Sequence, residues 1–248
     1  MRILEVDRLG KRFGGLAAAA DVGFHVDEGE IVGLIGPNGA GKTTVFNLIS
    51  GALVPDSGTI QFRDKKITGK KPHQICRAGI ARTFQSVQVF PRISVLDHVR
   101  LAQLFGNPKS RSGGNKWDAA QILDFVELSG MSALRAMDLT LANQKRLEVA
   151  RALAAEPELL LLDEVMAGLN PTEVSQAMEL ARKIQERGVT ILMIEHVMKA
   201  IMNICDRIIV LNYGQKIAEG VPREIAANQT VIEVYLGATE ISNLKSQI

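Results

Sequence analysis

The chain has 248 residues, 46% of them hydrophobic and 23% charged, which is the make-up of a globular protein and excludes a disordered one. With 29 Lys and Arg against 27 Asp and Glu, the net charge is +2, so no overall field calls for a nucleic-acid partner. The two cysteines, Cys76 and Cys205, show no metal-ligand or redox spacing and point to a reduced compartment with two buried thiols.

Ile3-Leu4-Glu5-Val6-Asp7 alternates as a half-buried strand does, and the charges spread through the first ten residues do not suit a secretion leader. Ile31-Val32-Gly33-Leu34-Ile35 is apolar throughout, the pattern of a parallel strand covered on both faces. Ser94 with Asp97 reads as a capping-box start to a helical region running to about Met137, interrupted by a turn-rich stretch, Gly106 to Asn115, that reads as a mobile surface loop. Leu159 to Leu162, Thr190 to Ile194 and Arg207 to Leu211 are further buried strands. Val174, Ala177, Met178, Ala181 and Ile184 form a helical stripe between the first two. The last strand turns at Asn212-Tyr213-Gly214 into Lys216-Ile217-Ala218-Glu219, a terminal hairpin. Strands alternating with helices predict an α/β fold with a largely parallel sheet and a helical insertion. No run approaches the roughly 18 to 20 apolar residues of a membrane span, so any membrane link runs through another protein.

Two motifs carry chemistry. Gly36-Pro37-Asn38-Gly39-Ala40-Gly41-Lys42-Thr43, directly after a buried strand, fits G-x-x-x-x-G-K-[ST]. Backbone N–H groups must face one hollow there, so glycines stand where a Cβ would block the turn or the phosphate. The helix that follows adds the positive end of its dipole, Lys42 a charge for the β- and γ-phosphates, and Thr43 a hydroxyl for Mg²⁺. Leu159-Leu160-Leu161-Leu162-Asp163-Glu164 delivers two carboxylates at the C-terminal edge of a strand, where open α/β sheets bind ligands. Asp163 is placed to order the Mg²⁺ shell and Glu164 to polarise an attacking water.

Further motifs narrow the family. In chain order these are Phe13 in Lys11-Arg12-Phe13-Gly14-Gly15, Thr83-Phe84-Gln85, Ala167-Gly168-Leu169-Asn170 and Ile194-Glu195-His196. Together with the phosphate loop and acidic pair, they make the whole chain resemble an ABC transporter ATPase. The fold implied is a P-loop NTPase with an ABC-type core, an N-terminal antiparallel β part and an inserted helical subdomain. Its expected partition is a core of 1–90 and 147–221, a helical subdomain of 91–146 and a C-terminal helical extension of 222–248.

The resemblance implies that ATP binds through Phe13, stacked on adenine, and residues 36–43 together with Thr44. It makes Glu164, His196 and Gln85 catalytic, with Mg²⁺ held by Thr43, Gln85 and Asp163, and Ala167, Gly168, Leu169 and Asn170 the D-loop. Implied partners are a second ABC ATPase subunit, alike or unlike, and transmembrane permease subunits, placing the chain on the cytoplasmic face of the inner membrane. No nucleic acid and no direct membrane insertion are expected.

Arg82-Thr83-Phe84-Gln85, Ala167-Gly168-Leu169-Asn170-Pro171 and Val234-Tyr235-Leu236-Gly237 are more closely similar to ATP-binding subunits of branched-chain amino acid importers, with urea importers the alternative. One motif departs from the family. Where a Leu-Ser-Gly-Gly-Gln signature is expected, acting across the dimer, this chain reads Leu139-Thr140-Leu141-Ala142-Asn143. Ala142 puts a Cβ where glycine allows close approach, and Asn143 is one methylene short. Val165 and Val197 replace a usual proline and aspartate. The expectation is a subunit that binds ATP itself but donates a weakened signature, with a nucleotide-binding regulatory subunit as the second reading. A soluble ABC ATPase of DNA repair or translation is the third, and it lacks support because no coiled-coil insertion or fused second ATPase domain is present in the sequence.

Overall fold

The computed structural model describes residues 1–106 and 117–235. The described residues form two compact units, residues 1–69 with 192–235, and residues 70–191.

In the first unit, β1 (Arg2–Phe13) and β2 (Leu16–Asp27) form a hairpin around Gly14 and Gly15. β3 (Ile31–Ile35) is buried at every position. A short helix, α1 (Lys42–Ile49), follows it. β4 (Ser57–Phe62) pairs antiparallel with β1, and β5 (Lys65–Lys66) with β4, giving an antiparallel sheet ordered β2-β1-β4-β5. The predicted first strand is therefore the centre of the N-terminal β part.

The second unit begins with α2 (Pro72–Ala78) and β6 (Ile80–Arg82). Its helical region consists of α3 (Val95–Gln103), α4 (Ala119–Phe125), 3₁₀ turns at Ser129–Met131 and Ala136–Asp138, and α5 (Leu141–Ala154). Val95 and Val99, Ile122 and Leu123, and Leu147 and Ala150 from the three helices close on one another as its core. At the start of α3 the Ser94 hydroxyl accepts the Asp97 N–H at 3.1 Å and donates to the Asp97 carboxylate at 2.7 Å. The return bond goes to the hydroxyl rather than the backbone because aspartate is shorter than the glutamate of a full capping box. Gly106 packs against the backbone of Ala155, with no room for a Cβ; the remainder of the turn-rich stretch, 107–115, lies outside the described residues. β7 (Leu159–Asp163) runs parallel to β6, and α6 (Pro171–Glu186) follows.

β8 (Thr190–Ile194), buried throughout, carries the chain back to the first unit. There α7 (Met198–Ile204) precedes β9 (Arg207–Asn212), which pairs parallel with β3 and antiparallel with β10 (Gln215–Gly220), the predicted terminal hairpin. Gly33 sits beneath α7: a Cβ would meet Cys205 Sγ at 3.0 Å and Ile201 at 3.3 Å, so glycine lets the helix lie directly on the strand. α8 (Pro222–Ala227) and a helix over 229–235 follow. No helix among the described residues is long and apolar enough to cross a membrane.

The cysteine expectation holds for one residue. Cys205 is buried, whereas Cys76 is only part-buried at the end of α2, where burial still pushes its thiol pKa up.

Candidate functional site

β3 ends at Ile35 and the chain enters the phosphate loop. Gly41 is the critical turn: its φ is +101°, and a Cβ would lie 2.2 Å from the Ala18 carbonyl oxygen, so both conformation and space demand glycine. Gly41 caps α1 with no side-chain hydrogen bond, so no capping side chain covers the opening of that helix. Lys42 is 5% exposed, and its Nζ donates to the carbonyls of Gly36 at 2.7 Å and Pro37 at 3.0 Å, so the ammonium lies inside the loop's own curve. Asn38, Gly39 and Thr43 are exposed, Pro37 and Thr44 half-buried and Ala40 buried. The turn Asn212–Gly214 braces the loop, with Gly214 N–H donating to the Ala40 carbonyl at 3.0 Å.

Phe13 ends β1 with its ring 49% exposed and the Lys11 ammonium 5.9 Å from the ring centroid. His196 follows β8 as an exposed residue, one position after buried Glu195.

In the second unit the acidic pair is built from β6 and β7. Asp163, the last residue of β7, is fully buried and ion-paired to Arg82 Nη2 at 2.7 Å. Its N–H donates to Thr83 Oγ1 at 3.0 Å, while Thr83 N–H extends the β6–β7 ladder to the Leu161 carbonyl. Glu164 leaves the strand with φ +50°, an uncommon conformation for a residue with a side chain and a kind of strain that clusters at functional sites. Two contacts hold it there. Its carbonyl accepts Lys145 Nζ at 2.8 Å, and Gln85 Nε2 donates to its Oε2 at 2.9 Å. Gln85 and Glu164, singled out separately in the sequence, are thus in direct contact. Lys145, a buried lysine of α5, was missed; only a cation one turn inside a helix start could have drawn attention to it.

Beyond Gln85 the chain is pinned at several points. Gln88 N–H donates to Glu148 Oε1 at 2.7 Å, its carbonyl accepts Arg151, and Phe90 N–H donates to His98 Nε2 at 2.9 Å. His98 is 1% exposed, and its Nδ1 lies 2.8 Å from the Ser94 carbonyl, which fixes the neutral Nδ1–H tautomer. Burial is the main cause of its lowered pKa, with Arg151 acting the same way. Burial likewise raises the Glu148 carboxyl pKa. No motif in the sequence singled out His98.

The altered signature lies at the start of α5. Thr140 is the N-cap, its hydroxyl accepting the Asn143 N–H at 3.4 Å, and Leu141 is 45% exposed. Asn143 Nδ2 lies 3.2 Å from Met131 Sδ, so this amide turns onto its own chain. Ala142 is half-buried. Ala167, Gly168 with φ +77°, and Leu169 lead to Asn170, whose side chain caps α6 in a full capping box with Glu173 behind Pro171.

The ABC transporter family matches residues 19–167, and a branched-chain amino acid ATP-binding cassette transporter family matches residues 215–241. The chain is 41% identical to the high-affinity branched-chain amino acid transport ATP-binding protein BraF of Pseudomonas aeruginosa, over 95% of this chain and 98% of that protein. It is 42% identical to the corresponding LivG protein of Salmonella typhimurium, with the same coverage. Among solved structures, a nucleotide-free ATP-binding cassette from an ABC transporter superposes with a TM-score of 0.86 at 30% identity, covering 96% of this chain and all of that one. An ATP-binding cassette in its ADP conformation gives a TM-score of 0.85 at 31% identity, covering 96% and 99%.

Proposed function

The chain belongs to the ABC transporter ATPase family, and from that membership we propose that it is the ATP-hydrolysing subunit of an importer for branched-chain or other hydrophobic amino acids. The match of its C-terminal segment to the branched-chain cassette family carries the substrate class. The subunit works from the cytoplasmic face of the inner membrane, beside permease subunits and a second ATPase subunit. ATP closes the ATPase dimer and hydrolysis reopens it, and the permeases follow that movement. The chain is one ABC domain with the helical subdomain inserted at 91–146.

The phosphates occupy the loop Gly36–Thr43 and the opening of α1, with Thr44 alongside, and Phe13 stacks on adenine. Lys42 leaves its two backbone carbonyls for the β- and γ-phosphates, a short move that keeps its charge in the loop. The Thr43 hydroxyl, the Gln85 amide oxygen and the Asp163 carboxylate are hard oxygen donors that suit Mg²⁺. When bound, that ion neutralises charge on the phosphate oxygens. Glu164 accepts a proton from the attacking water, Gln85 fixes the carboxylate that does so, and His196 steadies the γ-phosphate. Thr140, Leu141, Ala142 and Asn143 face the nucleotide of the neighbouring ATPase subunit, and Ala167 to Asn170 line the same junction.

The test is MgATP binding and steady-state hydrolysis by the purified chain beside Glu164→Gln. Binding in both, with hydrolysis only in the unaltered chain, is expected. Binding without hydrolysis in either would favour a subunit that needs an unlike partner to complete its site, or the second reading, a nucleotide-binding regulatory subunit. The turned-in Asn143 amide supports that reading. Absence of binding would overturn both.

A further inference from the structure

Two features have no task in this mechanism, the C-terminal motif and a buried cation. The motif runs out of the described residues at Leu236-Gly237. The cation, Lys145 of α5, lies within them and is buried. With Val149, Leu162, Val165 and Leu169 it lines a cavity bounded by α5, β7 and α6, so its stem runs among apolar side chains. Burying an ammonium is costly, and a methionine would fill the same space without that cost. A lysine here therefore argues for a task at its charged end.

That end reaches the residue after β7. Lys145 Nζ donates to the Glu164 carbonyl at 2.8 Å. The same oxygen accepts the Ala167 N–H at 3.2 Å, so each of its two lone pairs has a donor. Glu164 has φ +50°, a left-handed conformation that persists in a residue with a side chain only where the surroundings over-determine it. At the other end of the residue, Gln85 Nε2 donates to Oε2 at 2.9 Å. Glu164 is thus fixed at both ends. The donors on its carbonyl set the peptide plane from which the side chain departs, and Gln85 sets where the carboxylate lies.

We propose that Lys145 is a positioning residue for hydrolysis: through the Glu164 carbonyl it holds the left-handed turn that aims the Glu164 carboxylate at the attacking water. The inference rests on the reading of Glu164 as the group that takes the water's proton. A lysine suits the task because its long stem crosses from α5 to the end of β7, and its charged donor makes a stronger bond than a neutral one. Methionine would keep the stem and lose only the donor. The Ala167 N–H would still hold the carbonyl, so the turn would loosen rather than collapse.

The experiment compares the full chain with Lys145→Met and Lys145→Arg. It measures MgATP affinity by calorimetry, turnover of the assembled ATPase dimer at saturating MgATP, and melting without nucleotide. Lys145→Met is expected to bind MgATP as the unaltered chain does and to turn over about 10- to 100-fold more slowly, the cost of misplacing a reacting group by about 1 Å. Lys145→Arg keeps a charged donor, and the cavity beside it admits the larger guanidinium, so turnover should recover in part. Unchanged turnover in Lys145→Met would overturn the proposal. So would affinity that falls in step with turnover, since that marks a general structural role. Should Lys145→Met fail to fold, Lys145→Gln, which gives up the charge and one bond of reach, carries the same expectation and the same refutation. Turnover that persists in Glu164→Gln would remove the reading of Glu164 as the base and this inference with it. Turnover abolished there but indifferent to Lys145→Met would remove only the inference.

Discussion

Replacing Arg82 with methionine strips a buried carboxylate of its cation. Asp163 is 0% exposed and the Arg82 side chain 9%, with 2.7 Å between nitrogen and oxygen. Little water reaches either group, so the exposed-pair value of under about 1 kcal/mol does not apply. Removing one partner of a buried pair costs about 3–5 kcal/mol, chiefly through the charge left behind. At about 2–4 °C per kcal/mol for a chain of this size, melting should fall by about 6–20 °C. Arg82→Lys keeps the charge and gives up the planar fork, so it should fall between the two. Adding Asp163→Asn to Arg82→Met should recover part of the loss, because the uncompensated charge is then gone; that coupling is read from a double-mutant cycle in denaturant. If Arg82→Met lowers stability by less than about 1 kcal/mol, the pair is not desolvated as its burial indicates and the reasoning fails.

Gly41→Ala should cost about 2 kcal/mol or more and abolish MgATP binding, since the new Cβ meets the Ala18 carbonyl at 2.2 Å while φ stays at +101°; denaturant melts and calorimetry read both. His98 has a folded pKa below its ordinary value of 6.5, so below that pH the unfolded chain binds more protons than the folded one. Its contribution is fully present above about pH 6.5 and is lost as pH falls toward the folded pKa, so the stability difference between the native chain and His98→Gln should shrink from pH 7 to pH 5. Ala142→Gly with Asn143→Gln should raise turnover of the assembled ATPase dimer; unchanged turnover would show that Thr140, Ala142 and Asn143 suffice as they stand.

Much of the molecule was legible because its determinants are local. The glycines of residues 36–41 encode a loop whose shape depends on their own φ values, and the leucines of 159–162 encode a strand by burial alone. Asn170, Pro171 and Glu173 write a helix start within four residues. The short helical pieces between α3 and α5 were less legible. Periodicity shows apolar faces but not the breaks between α4, the 3₁₀ turns and α5, which are set by how those faces close on one another.

The sequence by itself determined the phosphate loop and the placing of Asp163 and Glu164 at a strand end, since each depends on neighbours a few positions away, and the family, since its motifs stand in order along the whole chain. Tertiary structure alone decided what holds those groups. Arg82 reaches Asp163 across 81 positions, Gln85 reaches Glu164 across 79, and Lys145 of α5 grips the Glu164 backbone from 19 positions upstream. Such pairings leave no periodic trace in sequence, because topology chooses the partner while the side chain supplies only the donor, acceptor or charge that makes the contact favourable once the fold has brought it near.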